Sequence, residues 1–394
     1  MYGKNVRVIM AISGFLAIGG LIAIQFKISA ALLSNFFNIS ELHAMLMTSF
    51  IVIIYSTFGG IKSVTFTDVL QFFTFGTIIP LLGFLIWRDI TGIDIVLNTI
   101  ENNSNYNISG FSLSNPNFIN MLQLSLIFAI PALHPSLFQR ISMSKSLKQL
   151  KYSFLTSSIV GAFLVLLTCW IGILMFTVNP NIEPNNVWIH IINEYTSPGL
   201  RGVAIIGIIA MIMSTADSYI NSSGILVSND LYGTFNKITS KKQLLIIRVV
   251  SLIIGSLSVF LALYSNDILE LLLIANNFYV PIVSVPLIFS IFGFRSSSKS
   301  VLIGMFAGLI AVTLWRLFVM QYVNIDSILP GVFCNLIFLF GSHYFLNQKG
   351  GWICIENSKN NNKYTEKNTY SSILKDKIKS IIFYQKNLPF NKKI

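Results

Sequence analysis

The sequence predicts an all-α integral membrane protein of about ten transmembrane helices. Three observations carry this. Of its 394 residues, 54% are hydrophobic and only 11% charged, against about 25% charged in an ordinary soluble domain. The apolar residues come in runs close to the roughly 20 that a spanning helix needs. And the basic residues fall on one side once those runs are threaded through a bilayer.

The first run is 7–30. Lys4 and Arg7 precede it, as in a signal peptide, but Val8–Phe26 carries no charge and outruns the usual h-region of about 7–15 residues. It is therefore a retained span. Runs 42–58 and 66–87 follow, separated by Gly59-Gly60, a pair that ends one helix and turns into the next. A polar loop covers 88–116. The run 117–138 contains Pro131 and Pro135, each of which removes a backbone donor and disrupts a helix. Broken helices at membrane depth are tolerated where they line a cavity; a kink near one end is the plainer alternative. His134, between the prolines, reads as a packed or interfacial residue rather than a ligand. Next come 152–177 and a second loop, 178–199, whose "NNVWIHIINEY" fits a short surface helix. The remaining spans are 200–229, 243–264, 267–292, 298–319 and 327–347.

With the N-terminus in the cytoplasm, the inner loops and flanks hold Lys4, Arg7, Lys62, Arg140, Lys145, Lys148, Lys151, Lys237, Lys241, Lys242, Arg248, Arg295 and Lys299. The outer side holds Lys27, Arg88, Arg201 and Arg316. An even helix count puts the C-terminus inside as well. The net charge of +12 thus signals topology, not nucleic-acid binding, because the basic residues lie between apolar runs and share no face. Cys169, Cys334 and Cys354 fit neither a metal spacing nor a disulfide framework. No nucleophile–base set, phosphate loop or metal-ligand spacing points to an enzyme.

Residues 1–348 form the membrane domain, and 349–394 a basic tail. "NSKNNNKYTEKNTY" has the composition of a disordered segment. In "SSILKDKIKSIIFYQK", Ile373, Leu374, Ile378, Ile381 and Ile382 share one helical face with lysines opposite. That suits a helix lying on the anionic inner leaflet; a linker to a signalling module is the other reading.

The sharpest signal is "MSTADSYINSSG", 213–224. At about 100° per residue, Ser218 falls some 40° from Ser214, Asn221 about −20°, Asp217 about −60° and Ser223 about 180°. One face is a polar stripe with Asp217 near bilayer depth, and ionisable groups there usually face a bundle interior or a water-filled path. Interhelical hydrogen bonding is the bland alternative. A small hard cation wants oxygens and neither thiolates nor imidazoles. The Ser214 and Thr215 hydroxyls can converge with the Met211 carbonyl one turn earlier. Asp68, in "TDVLQ" at 67–71, opens the helix after the glycine pair, where a carboxylate also suits the dipole as a cap.

Together these stretches resemble the sodium:solute symporter family over about residues 5–345. "YSTFGGIKS" at 55–63 is similar to the family's glycine-pair signature, with Ile61 where Leu, Met or Phe is usual. "TDVLQ" follows as in the family. "MSTADS" at 213–218, running on to "SNDLY" at 228–232, resembles its sodium-site helix, and "FQR" at 138–140 with the basic loop after it matches too. The resemblance implies a LeuT-like inverted-repeat fold and sodium as the coupling ion, with Ser214, Thr215 and the Met211 carbonyl as ligands. It also implies a sodium pathway through Asp68; Asp217 is added to that pathway from the polar stripe. Matched backwards from Arg140, Pro135 falls on a proline that the proline symporters share. Ile127 and Pro131 fall where those symporters carry substrate-contacting aromatics, so all three are candidates for the solute cavity, and the solute need not be proline.

Aligned by the glycine pair, residues 7–30 correspond to the family's fourth helix. The expectation is therefore a chain lacking the first three helices, among them one that contributes sodium and solute contacts. Three functions follow. One is a sodium-coupled symporter for a small organic solute in a bacterial inner membrane, inactive alone or completed by a separate chain that carries those helices. The second is a sensor domain formerly linked to a histidine kinase. The third is a non-functional remnant. Beyond the solute, lipid and that separate chain no other partner is implied, nucleic acid included, and no metal other than sodium.

Overall fold

The computed structural model describes residues 2–352, apart from 91, 103–115, 264–266, 324 and 349. Its helices are α1 (Lys4–Phe37), α2 (Glu41–Asp89), α3 (Ile93–Asn102), α4 (Pro116–Ala129), α5 (Pro135–Met143), α6 (Leu147–Val178), α7 (Val187–Tyr195) and α8 (Pro198–Leu226). They continue as α9 (Gly233–Phe235), α10 (Ser240–Ala262), α11 (Ile268–Asn277), α12 (Val285–Ile291), α13 (Ser298–Leu314) and α14 (Ile328–Phe345). Local chemistry starts several of them. Ser40, Ser146 and Ser297 each accept the N–H three residues on, and Asp267 accepts that of Leu269, which satisfies donors a helix start leaves unpaired.

Among the described residues, nine helical stretches are long and apolar enough to cross a membrane. The tenth expected run, 117–138, is instead the pair α4 and α5. Residues 130–134 between them are not helical, and Leu133 has a φ of 47°. Pro131 and Pro135 account for the interruption, and Pro135 opens α5 at a position where its missing N–H costs nothing. The glycine pair behaves as expected. Gly60 takes a φ of 65° and a ψ of −176° inside α2, a conformation open to glycine and strained for other residues. It divides α2 into Glu41–Gly60 and Ser63–Asp89.

Three features go beyond the sequence expectation. The run 267–292 is also interrupted: α11 ends at Asn277, a π-helical turn covers Val280–Ser284, and α12 follows. The segment 187–195 is helical, but it is no mere surface helix, since Ile191 and Ile192 are fully buried. And the start of the tail is tied down. Phe294–Arg295 (β1) pairs antiparallel with Gly351–Trp352 (β2). The amphipathic segment around Ile373–Ile382 lies outside the described residues.

Several apolar cores hold the bundle, three of them large. Leu82 and Ile86 of α2 pack with Leu174 and Met175 of α6, Ile191 of α7 and Ile208 of α8. Ile18 and Ile22 of α1 pack with Ala216 and Ile220 of α8 and Ile254 of α10. Val285, Val301, Met305 and Leu339 join α12, α13 and α14. Small residues set the helix spacing: a Cβ on Gly207 of α8 would lie 2.8 Å from Ile78 of α2, so those backbones meet more closely than any larger residue permits. On the other side α6 presents Leu155, Ile159, Phe163 and Leu166 outward, as a lipid-facing helix does.

Candidate functional site

The polar stretch of α8 lies inside the bundle, against α2 and α5. Its residues divide into two sets. One satisfies itself within the helix. The Thr215 hydroxyl donates to the Met211 carbonyl at 3.1 Å, Ser222 to Tyr219, Ser223 to Ile220, and the Asn221 amide to the Asp217 carbonyl. Such back-bonding is how hydroxyls are usually accommodated in an apolar helix.

The other set reaches across to neighbouring helices. The Ser214 hydroxyl donates to Asp68 Oδ1 at 2.5 Å. Arg140 of α5 donates through Nη2 to Asp68 Oδ2 at 3.0 Å and to the Ser218 hydroxyl at 2.8 Å. Asp68, Ser214, Ser218 and Arg140 thus form one network joining α2, α5 and α8. Asp217 points elsewhere. Its Oδ2 accepts the Tyr55 hydroxyl at 2.7 Å, and its Oδ1 has no hydrogen-bond partner among the described residues although the residue is fully buried. The Ser56 and Thr57 hydroxyls and Gln71 Oε1 are likewise buried and unpartnered.

Chemically, the network is a set of oxygens around a carboxylate whose present counter-charge is a guanidinium. The Ser214 hydroxyl bonds the carboxylate, the Ser218 hydroxyl bonds the guanidinium, and the Met211 carbonyl lies one turn back bonded to Thr215. These donors suit sodium, since they are all hard oxygens.

The sequence-derived residues are therefore only partly brought together. Asp68 and Ser214 touch. Thr215 and Met211 are bonded to each other, and Asp217 stands apart on Tyr55. The three candidates on the interrupted segment meet different surroundings. Ile127 is buried beside Val280 and Ile328, Pro131 is exposed, and Pro135 lies half-buried facing Gly14 of α1. His134 is packed, as its position suggested: its ring stacks on Tyr279 at 5.2 Å between centroids and meets Tyr219 edge-on at 6.2 Å. Sequence reasoning missed Tyr55 and gave Arg140 no role. The signal was present in both cases, because Tyr55-Ser56-Thr57 interrupts an apolar run and Arg140 is the first charge after the paired prolines.

Fold and site together define a helical membrane protein with interrupted helices and a partly buried carboxylate network between three of them. Residues 2–308 match the sodium:solute symporter family, and the chain belongs to that family. It is 26% identical over 305 residues to a sodium/proline symporter of Haemophilus influenzae, covering 73% of this chain and 60% of that one. It is 26% identical over 337 residues to a sodium/sialic acid symporter of Aliivibrio fischeri, covering 80% and 66%. A sodium/pantothenate symporter of Haemophilus influenzae is 25% identical over 341 residues, covering 83% and 69%. The fold is similar to that of a Na+-coupled sialic acid symporter solved in a substrate-bound outward-open state. That similarity has a TM-score of 0.70 at 20% identity, over 89% of this chain and 76% of the other. The family, the fold and the apolar helices make this an integral protein of a bacterial inner membrane. The chain spans 60% and 66% of the length of the first two relatives.

Proposed function

We propose that this chain is the ion-binding part of a sodium-coupled symporter for a small organic solute, an amino acid or related metabolite. The contact between Ser214 of α8 and Asp68 of α2 carries the proposal: it sets a hydroxyl and a carboxylate side by side, on two different helices, at the depth where a coupling ion would sit. Thr215 and the Met211 carbonyl supply further oxygens. Asp68 marks the route to the cytoplasm and Asp217 flanks it. The solute would lie along the interrupted segment that carries Ile127, Pro131 and Pro135. Arg140 now holds Asp68, so sodium arriving at this carboxylate takes over the place of the guanidinium.

Two hydroxyls, a carbonyl and one carboxylate leave an ion short of a full shell, and an underdressed ion at membrane depth pays a large desolvation cost. The buried, unpartnered oxygens of Ser56, Thr57 and Gln71 on α2 can add to the shell, and a separate chain is the other source that fits. Uptake by a transporter assembled with this chain should therefore be sodium-dependent. In the completed assembly, Ser214→Ala and Thr215→Ala should each raise the half-saturating sodium concentration about fivefold, the effect of losing one hydrogen-bond-class ligand. Ser223→Ala is the control. Sodium-independent uptake, or equal shifts for Ser214 and Ser223, would sink the assignment.

We further propose that the N-terminus and the tail both lie in the cytoplasm, the tail by the charge pattern and the helix count. The Arg7–Asp230 ion pair at 2.6 Å supports this by setting the start of α1 beside the far end of α8, both assigned inside by charge. Alkaline phosphatase fused after residue 148 or 350 should be inactive, and activity at either point would reverse the topology.

A further inference from the structure

The two interrupted helices meet. The break between α4 and α5 turns on Leu133, whose φ of 47° takes its carbonyl out of any helical ladder. The Tyr279 hydroxyl donates to that carbonyl at 2.8 Å. Tyr279 itself stands at the other break, between the end of α11 and the π-helical turn Val280–Ser284. Its own carbonyl accepts the N–H groups of Ile282 and Val283 at 3.2 and 2.8 Å, so it is also the first link of that turn. Its ring is buried and stacks on His134. Where α1 passes this junction it carries Gly14, at which a Cβ would lie 3.0 Å from Pro135 and 3.4 Å from Tyr279.

The second break is anchored from behind. Asn335 of α14 donates through Nδ2 to the carbonyls of Pro281 and Ile282 at 2.6 and 3.1 Å. Gly308 and Gly331 let α13 and α14 close on Pro281: a Cβ on Gly308 would lie 2.5 Å from the Pro281 carbonyl oxygen. A continuous chain of hydrogen bonds thus runs from Asn335 through the 279–283 turn to the Leu133 carbonyl. A backbone carbonyl released at membrane depth must find a donor within the protein, and Tyr279 is that donor for Leu133.

We propose that Tyr279 is a positioning residue that couples the two helix breaks. Its hydroxyl makes the bend at 130–134 follow the bend at 278–284, so that the two segments shift together and not independently. The coupling does not depend on which solute or ion the protein carries, and it is tested without either.

Hydrogen exchange of the full chain in lipid nanodiscs, read by mass spectrometry, measures it. Tyr279→Phe keeps the ring and its stacking and removes only the hydroxyl. Exchange should rise about three- to tenfold in both 130–137 and 278–284, as expected for one hydrogen bond of ordinary net strength, while α13 stays unchanged. Asn335→Leu supplies the second arm. With Tyr279 present, it should loosen 278–284 and, through the hydroxyl, 130–137. With Tyr279→Phe in the background, its effect on 130–137 should vanish, which is the signature of a coupled pair. An Asn335→Leu effect on 130–137 that is the same in both backgrounds overturns the proposal. So does a Tyr279→Phe response confined to one segment, absent from both, or spread evenly over every helix.

Discussion

Asp68 and Asp217 both face the interior of one bundle, yet they are accommodated in different ways. Asp68 keeps a side chain 15% exposed and is matched by a charge, the Arg140 guanidinium, together with the Ser214 hydroxyl. Asp217 is fully buried and has one neutral donor, Tyr55, with its second oxygen left over. On the helices packed around it, Arg7 pairs with Asp230, Lys27 with Glu41, and Arg248 lies over the ring of Phe58, while Arg140 reaches Asp217 only through its field. A carboxylate held by a cation can exchange that cation for another. One held by a hydroxyl in a closed site has nothing to exchange and acts as a fixed brace. Under the proposed function, the difference suits Asp68 to ion exchange and Asp217 to bracing the flank of the same route.

The comparison breaks most readily at Tyr55. Tyr55→Phe removes the one described donor of a fully buried carboxylate and should cost about 2 kcal/mol, measured as a lower unfolding midpoint in lipid–detergent micelles. Adding Asp217→Asn to that variant should recover most of the loss, because the buried group is then neutral. A Tyr55→Phe protein as stable as the parent would mean that Asp217 has another source of stabilisation.

Arg140→Gln should cost less, about 1 kcal/mol, because its guanidinium is half-exposed and the pair is screened. Raising the salt concentration should shrink this loss and leave the Tyr55→Phe loss unchanged, since screening reaches exposed pairs and spares buried ones. Equal salt sensitivity of the two variants would erase the distinction between the carboxylates.

The smallest effect separates the two faces of α8. Ser214→Ala gives up a bond to a charged acceptor on another helix and should cost about 1 kcal/mol. Ser223→Ala gives up only a bond to the Ile220 carbonyl of its own helix, and should stay below about 0.5 kcal/mol. Identical unfolding midpoints for these two variants would show that the cross-helix bond adds nothing.

The sequence by itself determined the membrane class, the approximate limits of nearly every span, the turn at Gly60 and the interruption between Ala129 and Pro135. These follow from local chemistry. Apolar run length, a glycine with positive φ and a proline without an N–H act through their own backbone, whatever surrounds them. The polar face of α8 was legible for the same reason, since helical winding alone puts Ser214, Asp217 and Ser218 within one turn. What each of them does was not legible. Winding gives a direction but no partner, and only the packing of α2, α5 and α8 gave Ser214 to Asp68, Asp217 to Tyr55 and Ser218 to Arg140. The second interruption, at 278–284, was equally hidden. Pro281 lies about four turns into a run of ordinary hydrophobicity, and the carbonyls around it could be released only because Asn335, 54 positions further along the chain, and the small residues Gly308 and Gly331 were brought against them. In a bilayer, a backbone group that leaves its helix must be repaid by a donor from elsewhere, and which donor arrives depends on how distant helices pack.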